Sequence, residues 1–170
     1  MTLPTLIDLL AHNATDHAHR AAVIAGAGVH THAALYEAVQ RQAAALAALG
    51  VRGGDRIVLL AGNRTEVLVL LGAAAWLGAV LVPLNLRLSP GEMAQQTRDA
   101  TPVLAVVDVA CDSLWNAAWP DGMPDVPTVP LGAAAPQSLA YAGSEAADPV
   151  QRRDAPGLGV VMFYTAAVQG

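Results

Sequence analysis

The sequence predicts an α/β fold, with an open, mostly parallel sheet covered by helices on its faces. Apolar residues at helical spacing alternate with short apolar runs along most of the 170 residues. The run at 57–60 is continuously apolar, as strands covered on both faces are, and 103–107 is predicted to be the next strand. Strands that alternate with helices form parallel sheets with right-handed crossovers, and such sheets bind ligands beyond the carboxyl ends of their strands.

The first part of the chain is predicted to hold two helices and one short strand. We expect a helix over 6–15, a strand over 21–25 and a tight turn at 26–28. Thr31 is a suitable N-cap for a second helix, and Gly50 is placed to end it. The turn at 53–55 then leads into the strand at 56–60.

The charge-free stretch 67–86 is long enough to cross a membrane. Gly72, Gly78 and Pro83 interrupt it, however, and its second part, 79–83, is rich in β-branched residues, as a short buried strand is. We therefore predict a helix, a glycine turn and a strand, with no membrane span. Membrane anchoring through 67–86 is a third-ranked alternative.

Two capping patterns mark the starts of the third and fourth helices. Asn63 is followed by Glu66 three residues on, and Ser89 is followed by Pro90 and Glu92. A side-chain oxygen before the helix and an acid at its third position satisfy free N–H groups at the helix start. We expect both helices to begin at these positions.

Regular structure is predicted to weaken along the last third of the chain. Residues 99–102 end the fourth helix, 103–107 form a strand, and Trp115 and Trp119 lie on a short helix. The run 126–131 contains two prolines, so it is predicted to be an edge strand or an extended loop.

The final segments are predicted to be an exposed loop and a buried strand. Residues 143–157 are rich in polar residues and glycine, and 158–164 are mostly apolar. At this length we expect residues 1–170 to form a single α/β domain or a part of one.

Composition excludes several classes of function. The formal net charge is −5, and the nine basic residues are all arginines spread along the chain, so no nucleic-acid footprint is present. Without lysine, the chain itself supplies no Schiff base or lysine phosphate contact. Cys111 is the only cysteine, which excludes a disulfide framework, and the N-terminus lacks a signal-peptide pattern. We expect a cytoplasmic protein.

Several residues that could carry chemistry have plainer interpretations. No acid or thiol accompanies the histidines at metal-ligand spacing, so we expect surface or cap roles for His12, His17, His19, His30 and His32. The third glycine and acidic partner of a dinucleotide-binding fingerprint are missing after Gly26 and Gly28.

Charged and aromatic residues elsewhere receive structural interpretations too. Asp55 and Arg56 are expected to form a turn and a strand entry, and Arg87 and Arg98 to be solvated or ion-paired. In a longer enzyme these two arginines are alternative contacts for the phosphates of CoA. Trp76, like Trp115, is expected in the core rather than at a cofactor.

An ordered set of short motifs runs from about residue 6 to residue 170. They are Gly50-Val51 before Gly53-Gly54-Asp55-Arg56-Ile57, Asn63 with Glu66, Gly78-Ala79-Val80 before Val82-Pro83-Leu84-Asn85, Arg87-Leu88, Glu92 and Asp99-Ala100-Thr101-Pro102. In order and spacing this set resembles the adenylate-forming enzymes that include the acyl-CoA synthetases. The resemblance implies that the strand at 158–164 leads into a phosphate loop of the form Tyr-Thr-Ser-Gly-Thr-Thr-Gly.

The resemblance makes Tyr164, Thr165 and Gly170 the candidate cofactor-binding residues, and assigns no catalytic or metal-ligating residue. Glycine lets a backbone approach phosphate closely, and hydroxyl and amide groups donate hydrogen bonds to it. The chain departs from the loop at four positions, where hydroxyl donors and one glycine are replaced by Ala166, Ala167, Val168 and Gln169. A weakened loop in which Gln169 donates through its amide remains one possibility, and loss of phosphate binding is the other.

The resemblance further implies that the chain is the N-terminal portion of a longer ligase. That ligase would join a carboxylic acid to AMP from ATP, with Mg²⁺, and pass the acyl group to CoA, while this portion alone would be inactive. The alternative is a non-catalytic scaffold or binding module whose altered loop no longer handles ATP. Apolar surface normally covered by the rest of such an enzyme predicts self-association of this portion.

Overall fold

Eleven helices and strands are arranged around one four-stranded parallel sheet in the computed structural model, which describes residues 4–25, 28–132, 150–153 and 160–164. In chain order they are α1 (Leu6–Asp16), β1 (Ala21–Ala25), β2 (Gly28–Thr31), α2 (His32–Ala48), β3 (Arg56–Leu60), α3 (Thr65–Leu77), β4 (Val80–Pro83), α4 (Pro90–Ala100), β5 (Leu104–Asp108), α5 (Asp112–Ala118) and β6 (Thr128–Leu131), with a 3-10 turn at Val109–Cys111 before α5.

The main sheet has the strand order β4-β3-β5-β6, and all its neighbours are parallel. Ile57 of β3 lies opposite Leu81 of β4 and Leu104 of β5, which fixes the register. Because successive side chains point to opposite faces, the continuous apolar runs cover both faces of the sheet. This confirms the predicted α/β class and parallel sheet.

Each face of the sheet packs against its own layer of helices. Ile57 and Leu59 lie in a core shared with α1, α2 and α3, whereas Val58 and Leu60 lie in a second core shared with α4 and α5. All four side chains are buried. Removal of this apolar surface from water is the main stabilising contribution to such a layered fold.

The strand predicted at 21–25 is present, but it does not join the parallel sheet. It pairs with β2 in a separate antiparallel hairpin. The sequence does not predict β2, because four residues between a turn and a helix cap are too few to show a strand period.

Of the two predicted capping patterns that pair a cap with an acid, the structure confirms one and overturns the other. Ser89 accepts the Glu92 N–H at 3.3 Å, and the Glu92 carboxylate accepts the Ser89 N–H at 2.8 Å, as the sequence predicts. The third helix instead has Arg64 as its N-cap residue, without a side-chain cap hydrogen bond. The prediction that Asn63 caps this helix is wrong, because the chain enters the helix one residue later.

The charge-free stretch folds as α3, a left-handed turn at Gly78 and β4, as predicted. Within the described residues, no helix is long and apolar enough to span a membrane. The Thr31 cap and the edge position of β6 are also confirmed. Trp115 lies on α5, and Trp119 directly follows that helix.

The predicted buried strand at 158–164 is not formed by its described part, 160–164. Val161 makes one parallel bridge to Leu81 at the free edge of β4. Residues 160–162 and Tyr164 are only half-buried, and Phe163 is 71% exposed. An apolar run here reflects docking on one sheet edge and not burial on two faces. The loop predicted at 143–157 lies outside the described residues except at 150–153.

Gly78 provides a stability test of the turn between α3 and β4. Its φ of 70° lies in the left-handed region, so Gly78→Ala is expected to lower the free energy of unfolding by about 1 kcal/mol. Gly91→Ala is the matched control, since an added Cβ there meets nothing within 4 Å and α4 gains a better helix former. Urea unfolding should show opposite signs for the two variants, and equal losses would contradict this account.

Candidate functional site

The carboxyl edge of the parallel sheet carries a cluster of charged side chains. From β3 the chain moves to β4 on one side and then returns to β5 on the other, so the strand order reverses between β3 and β5. In doubly wound sheets, ligands bind in the crevice at such a reversal. Arg64 follows β3, and Asp108 ends β5, so both lie at this point.

Arg64 joins two carboxylates across the crevice. Its Nη2 donates to Oε1 of Glu66 at 2.9 Å, and its Nη1 donates to Oδ1 of Asp108 at 3.0 Å. The same Asp108 oxygen accepts the N–H of Ala110 at 3.1 Å. One guanidinium therefore ties the start of α3 to the end of β5.

Burial strengthens these contacts. Asp108 is 3% exposed, and Arg64 and Glu66 are half-buried. The Arg64 guanidinium lowers the pKa of Glu66, while the hydrogen bond to Glu66 raises the pKa of Arg64. Arg64 and Glu66 therefore both stay ionised near neutral pH.

Gly132, directly after β6, completes the enclosure of Arg64. Its φ is 81°, and a Cβ added there would overlap the guanidinium. Glycine thus allows the chain leaving β6 to pass against Arg64. We call Arg64, Glu66, Asp108 and Gly132 the arginine clamp. It fills the crevice with the protein's own cation, so its geometry is that of a structural ion cluster.

The sequence analysis does not identify the clamp. The available signal is the placement of Arg64 and Asp108 at the carboxyl ends of two buried runs. Their pairing depends on β3 and β5 being neighbours in the sheet, which the order of residues along the chain does not reveal.

Of the predicted cofactor-binding residues, Tyr164 is the one the structure describes. The backbone before it docks on β4: the Leu81 N–H donates to the Val160 carbonyl at 2.9 Å, and the Met162 N–H donates to the Leu81 carbonyl at 2.9 Å. Tyr164 packs against the core shared with α4 and α5. Its hydroxyl donates to Oδ2 of Asp99 near the end of α4 at 2.6 Å.

Thr165 and Gly170, together with Ala166, Ala167, Val168 and Gln169, lie outside the described residues. Tyr164 is not part of the arginine clamp, since its hydroxyl is bound to the last turn of α4. The structure gives this side chain an anchoring contact next to Thr165.

Tyr164 leads to a prediction about alkaline pH. Burial, followed by the hydrogen bond to Asp99, raises its pKa from 10.0 to about 12. The folded state holds this proton more tightly than the unfolded state, so the protonated hydroxyl adds to the free energy of unfolding. This stabilisation is fully present below the unfolded pKa and is lost as pH rises through about 12. Tyr164→Phe is expected to flatten the fall in stability over this window. Urea unfolding across that pH range measures the effect, and Tyr36→Phe is the control; equal slopes in wild type and Tyr164→Phe would contradict it.

The segment 150–153 is held against the helical layer opposite the Tyr164 contact. The Trp76 indole donates to the Val150 carbonyl at 3.0 Å, and Arg152 donates to Asp8 of α1 at 2.7 Å. That guanidinium, with the Thr5 cap, lowers the pKa of Asp8. These contacts bring the chain after 149 onto α1 and α3 before it reaches β4.

The charged residues that the sequence analysis interpreted as structural make contacts within the fold. The Asp55 carboxylate accepts the Arg52 N–H at 2.7 Å in the turn, and the Arg56 side chain donates to the Ala100 carbonyl. Arg98 lies over the Trp119 ring at 5.3 Å.

Trp76 and Trp115 are buried in the two cores, as predicted. Over the described ranges, no group of three or more His, Cys, Asp or Glu residues could hold a metal ion. Cys111 is a buried free thiol, and burial raises its pKa.

Comparison with known proteins adds a family relation to this geometry. Residues 10–166 match the family described as AMP-binding enzyme. The 2-succinylbenzoate–CoA ligase of Geobacillus kaustophilus is 39% identical over 89 residues, which are 52% of this chain and 18% of that protein. The chain thus spans about a fifth of the length of such relatives.

Solved structures match a longer part of the chain. The N-terminal domain of FACL13 from Mycobacterium tuberculosis superposes with a TM-score of 0.83 and 27% identity, covering 96% of this chain and 42% of that one. The O-succinylbenzoate coenzyme A synthetase of Bacillus subtilis in complex with AMP gives a TM-score of 0.77 at 26% identity, covering 95% and 39%. The same synthetase is known in complex with ATP and magnesium ion.

Proposed function

This chain belongs to the AMP-binding enzyme family, and we propose that it is the N-terminal part of an ATP-dependent acid–CoA ligase. The whole protein would use ATP and Mg²⁺ to convert a carboxylic acid to an acyl-adenylate, releasing pyrophosphate. It would then transfer the acyl group to CoA. We further propose that residues 1–170 form one α/β domain and work in the cytoplasm.

The observation that carries this proposal is the family match over residues 10–166, together with relatives that are CoA ligases. Related structures with AMP, or with ATP and magnesium ion, support nucleotide use. The relatives include ligases for succinylbenzoate and for long-chain fatty acids. The proposed substrate class is therefore a carboxylic acid, of which fatty acids are one group.

In this proposal the phosphates of ATP are held by the residues that begin at Tyr164. Thr165 supplies a hydroxyl donor, Gly170 allows close approach of the backbone, and Gln169 supplies an amide donor. Tyr164 holds the start of this segment through Asp99. Mg²⁺ is assigned as the counter-ion of the triphosphate, and the 170 residues alone are expected to be inactive.

A second candidate, a non-catalytic binding module, is favoured by one sequence observation. Four consecutive loop positions carry Ala166, Ala167, Val168 and Gln169, which together provide no hydroxyl group. Loss of these donors weakens phosphate binding, because each hydrogen bond to a charged oxygen contributes about 1.5–3 kcal/mol.

The two candidates are separated by assays on the full-length protein. For a ligase we expect pyrophosphate exchange into ATP that depends on an added carboxylic acid, and acyl-CoA product when CoA is present. Thr165→Val is expected to raise the KM for ATP at least about tenfold, as loss of one charge-assisted donor predicts. Leu68→Ser, on the exposed side of α3, is the control and should leave the KM unchanged.

A calorimetric titration of Mg-ATP completes the test. If the wild-type protein neither binds Mg-ATP nor exchanges pyrophosphate, the ligase proposal is overturned. The quadruple variant Ala166→Ser, Ala167→Gly, Val168→Thr, Gln169→Thr then checks the binding module. Gain of Mg-ATP binding by this variant alone shows that the four substitutions removed the nucleotide function.

A further inference from the structure

The last turn of α4 is tied to the parallel sheet. The side chain of Arg56, at the start of β3, donates hydrogen bonds to the Ala100 carbonyl and, at 3.3 Å, to the Thr101 carbonyl. The Val103 N–H, just before β5, donates to the Arg56 carbonyl at 2.9 Å. Ala100 itself is buried. Since β3 is an inner strand, this end of the helix has a fixed place in the fold.

Asp99 carries a carboxylate on this fixed turn, and it holds the hydroxyl of Tyr164. The distance from the Tyr164 hydroxyl to Oδ2 of Asp99 is 2.6 Å, within the range for a hydroxyl that donates to a carboxylate. Burial, and then the hydrogen bond to Asp99, raise the pKa of Tyr164 to about 12. The hydroxyl therefore keeps its proton and remains a donor at neutral pH.

The chain before Tyr164 is held at a second point, on a different element. Two main-chain hydrogen bonds of 2.9 Å join Leu81 of β4 to Val160 and Met162. They fix the backbone two residues before Tyr164, while Asp99 fixes the end of the Tyr164 side chain. A segment that slides along β4 or rotates about it loses the contact with Asp99. The two holds together set the direction in which the chain leaves Tyr164.

We propose that Asp99 is a positioning residue for ATP, acting through the Tyr164 hydroxyl on the loop that starts at Thr165. This inference rests on the proposed function, in which that loop holds the phosphates of ATP. Thr165 carries the one hydroxyl group in the sequence 165–170, so ATP binding depends strongly on where this residue lies. Asp99 restricts the start of the loop before ATP arrives, and a group that is already placed loses less conformational entropy on binding.

Stability alone is a weaker explanation of the contact between Asp99 and Tyr164. Asp99 is exposed, and a hydrogen bond to an exposed group adds little to the free energy of unfolding, because water replaces the lost partner. The Tyr164 ring also packs against the core shared with α4 and α5, without help from the carboxylate. Removal of the Asp99 carboxylate should therefore leave the segment docked and release only the hydroxyl that directs it.

The test measures pyrophosphate exchange by the full-length protein as a function of Mg-ATP and of the carboxylic acid. Asp99→Ala is expected to raise the KM for Mg-ATP about fivefold or more, while kcat and the KM for the acid stay near their wild-type values. This split is the result of weaker binding in the ground state and the transition state alike.

Two further variants test whether Asp99 acts through the Tyr164 hydroxyl. Asp99→Asn keeps an oxygen that accepts this hydroxyl, so it should restore most of the affinity for Mg-ATP. Tyr164→Phe should match Asp99→Ala. The variant with both Tyr164→Phe and Asp99→Ala should be no worse than either single change, because residues that act as a unit have non-additive effects.

Asp121→Ala is the matched control, because it removes another exposed acid, in the turn after α5. Its KM for Mg-ATP should equal that of the wild type, and urea midpoints will show that all variants remain folded. A KM for Mg-ATP that Asp99→Ala leaves unchanged, with or without a lower urea midpoint, overturns this inference while the ligase proposal stands. Additive effects in the double variant overturn it too. Failure of the wild type itself to bind Mg-ATP or exchange pyrophosphate overturns both.

Discussion

Replacing Arg64 by alanine is expected to lower the free energy of unfolding by about 3 kcal/mol. Asp108, which is 3% exposed, would lose its guanidinium partner and keep the hydrogen bond from the Ala110 N–H. A buried carboxylate without a cation bears most of its desolvation cost uncompensated. Urea unfolding at neutral pH measures this loss, and it should persist at high salt because buried pairs are little screened.

Arg41→Ala is the control for removal of an arginine. Its pair with Glu37 spans 3.7 Å between two exposed side chains, so a loss below about 0.5 kcal/mol is expected. Similar losses in the two variants would contradict the role assigned to the clamp. Arg64→Lys should recover part of the stability, since lysine keeps the charge but not the planar fork that reaches two carboxylates.

The loss of stability at acid pH is a second test of the arginine clamp. Arg64 lowers the pKa of Glu66 below its ordinary 4.5. A carboxylate with a lowered folded-state pKa contributes stability above its unfolded pKa, and this is lost as pH falls through the folded value. The wild type should therefore lose stability below about pH 4.5, and Arg64→Ala should lose less over the same range.

The start of α3 shows what local sequence can and cannot predict. Asn63 and Glu66 have the spacing of a capping box, and the helix does begin nearby. Yet Glu66 bonds to Arg64, because Asp108 on a neighbouring strand draws that arginine across the sheet edge. Ser89 and Glu92 instead bond to each other, and the predicted box forms. Local sequence patterns thus predict where helices and strands form. The arginine clamp, by contrast, depends on which strands are neighbours in the sheet.

The edge of the sheet also shows where prediction from the sequence stops. Apolar runs predict the central strands well, because both faces of β3 and β5 are buried. The apolar run that includes Val161 and Phe163 has only one strand to dock on, and Phe163 remains exposed. Composition alone does not distinguish burial on two faces from docking at an edge. Of the candidate loop, Tyr164 is named through the family resemblance, whereas its contact with Asp99 depends on how α4 packs and is not visible in the sequence.

Gly72→Ala is expected to lower the free energy of unfolding by about 2 kcal/mol, although alanine is about 1 kcal/mol better than glycine in a helix interior. A Cβ at Gly72 would lie 2.6 Å from Cγ2 and 3.1 Å from Cγ1 of Val39. Val39 is fully buried on α2, and valine in a helix is held in one main rotamer. Rotation therefore gives little relief, and the two helices must separate. Urea unfolding will measure the loss.

Val39→Ala decides whether contact between α2 and α3 is the cause of that loss. Alone, this variant leaves a cavity and should cost about 2 kcal/mol. Combined with Gly72→Ala, it removes the two methyl groups that would lie too close to the new Cβ and leaves only the ordinary contact with Leu10. The double variant should therefore be more stable than the sum of the two single effects predicts, by at least about 1 kcal/mol. Additive losses would mean that the glycine is needed for another reason. A positive coupling shows that one missing side chain sets the distance between two helices of the first core.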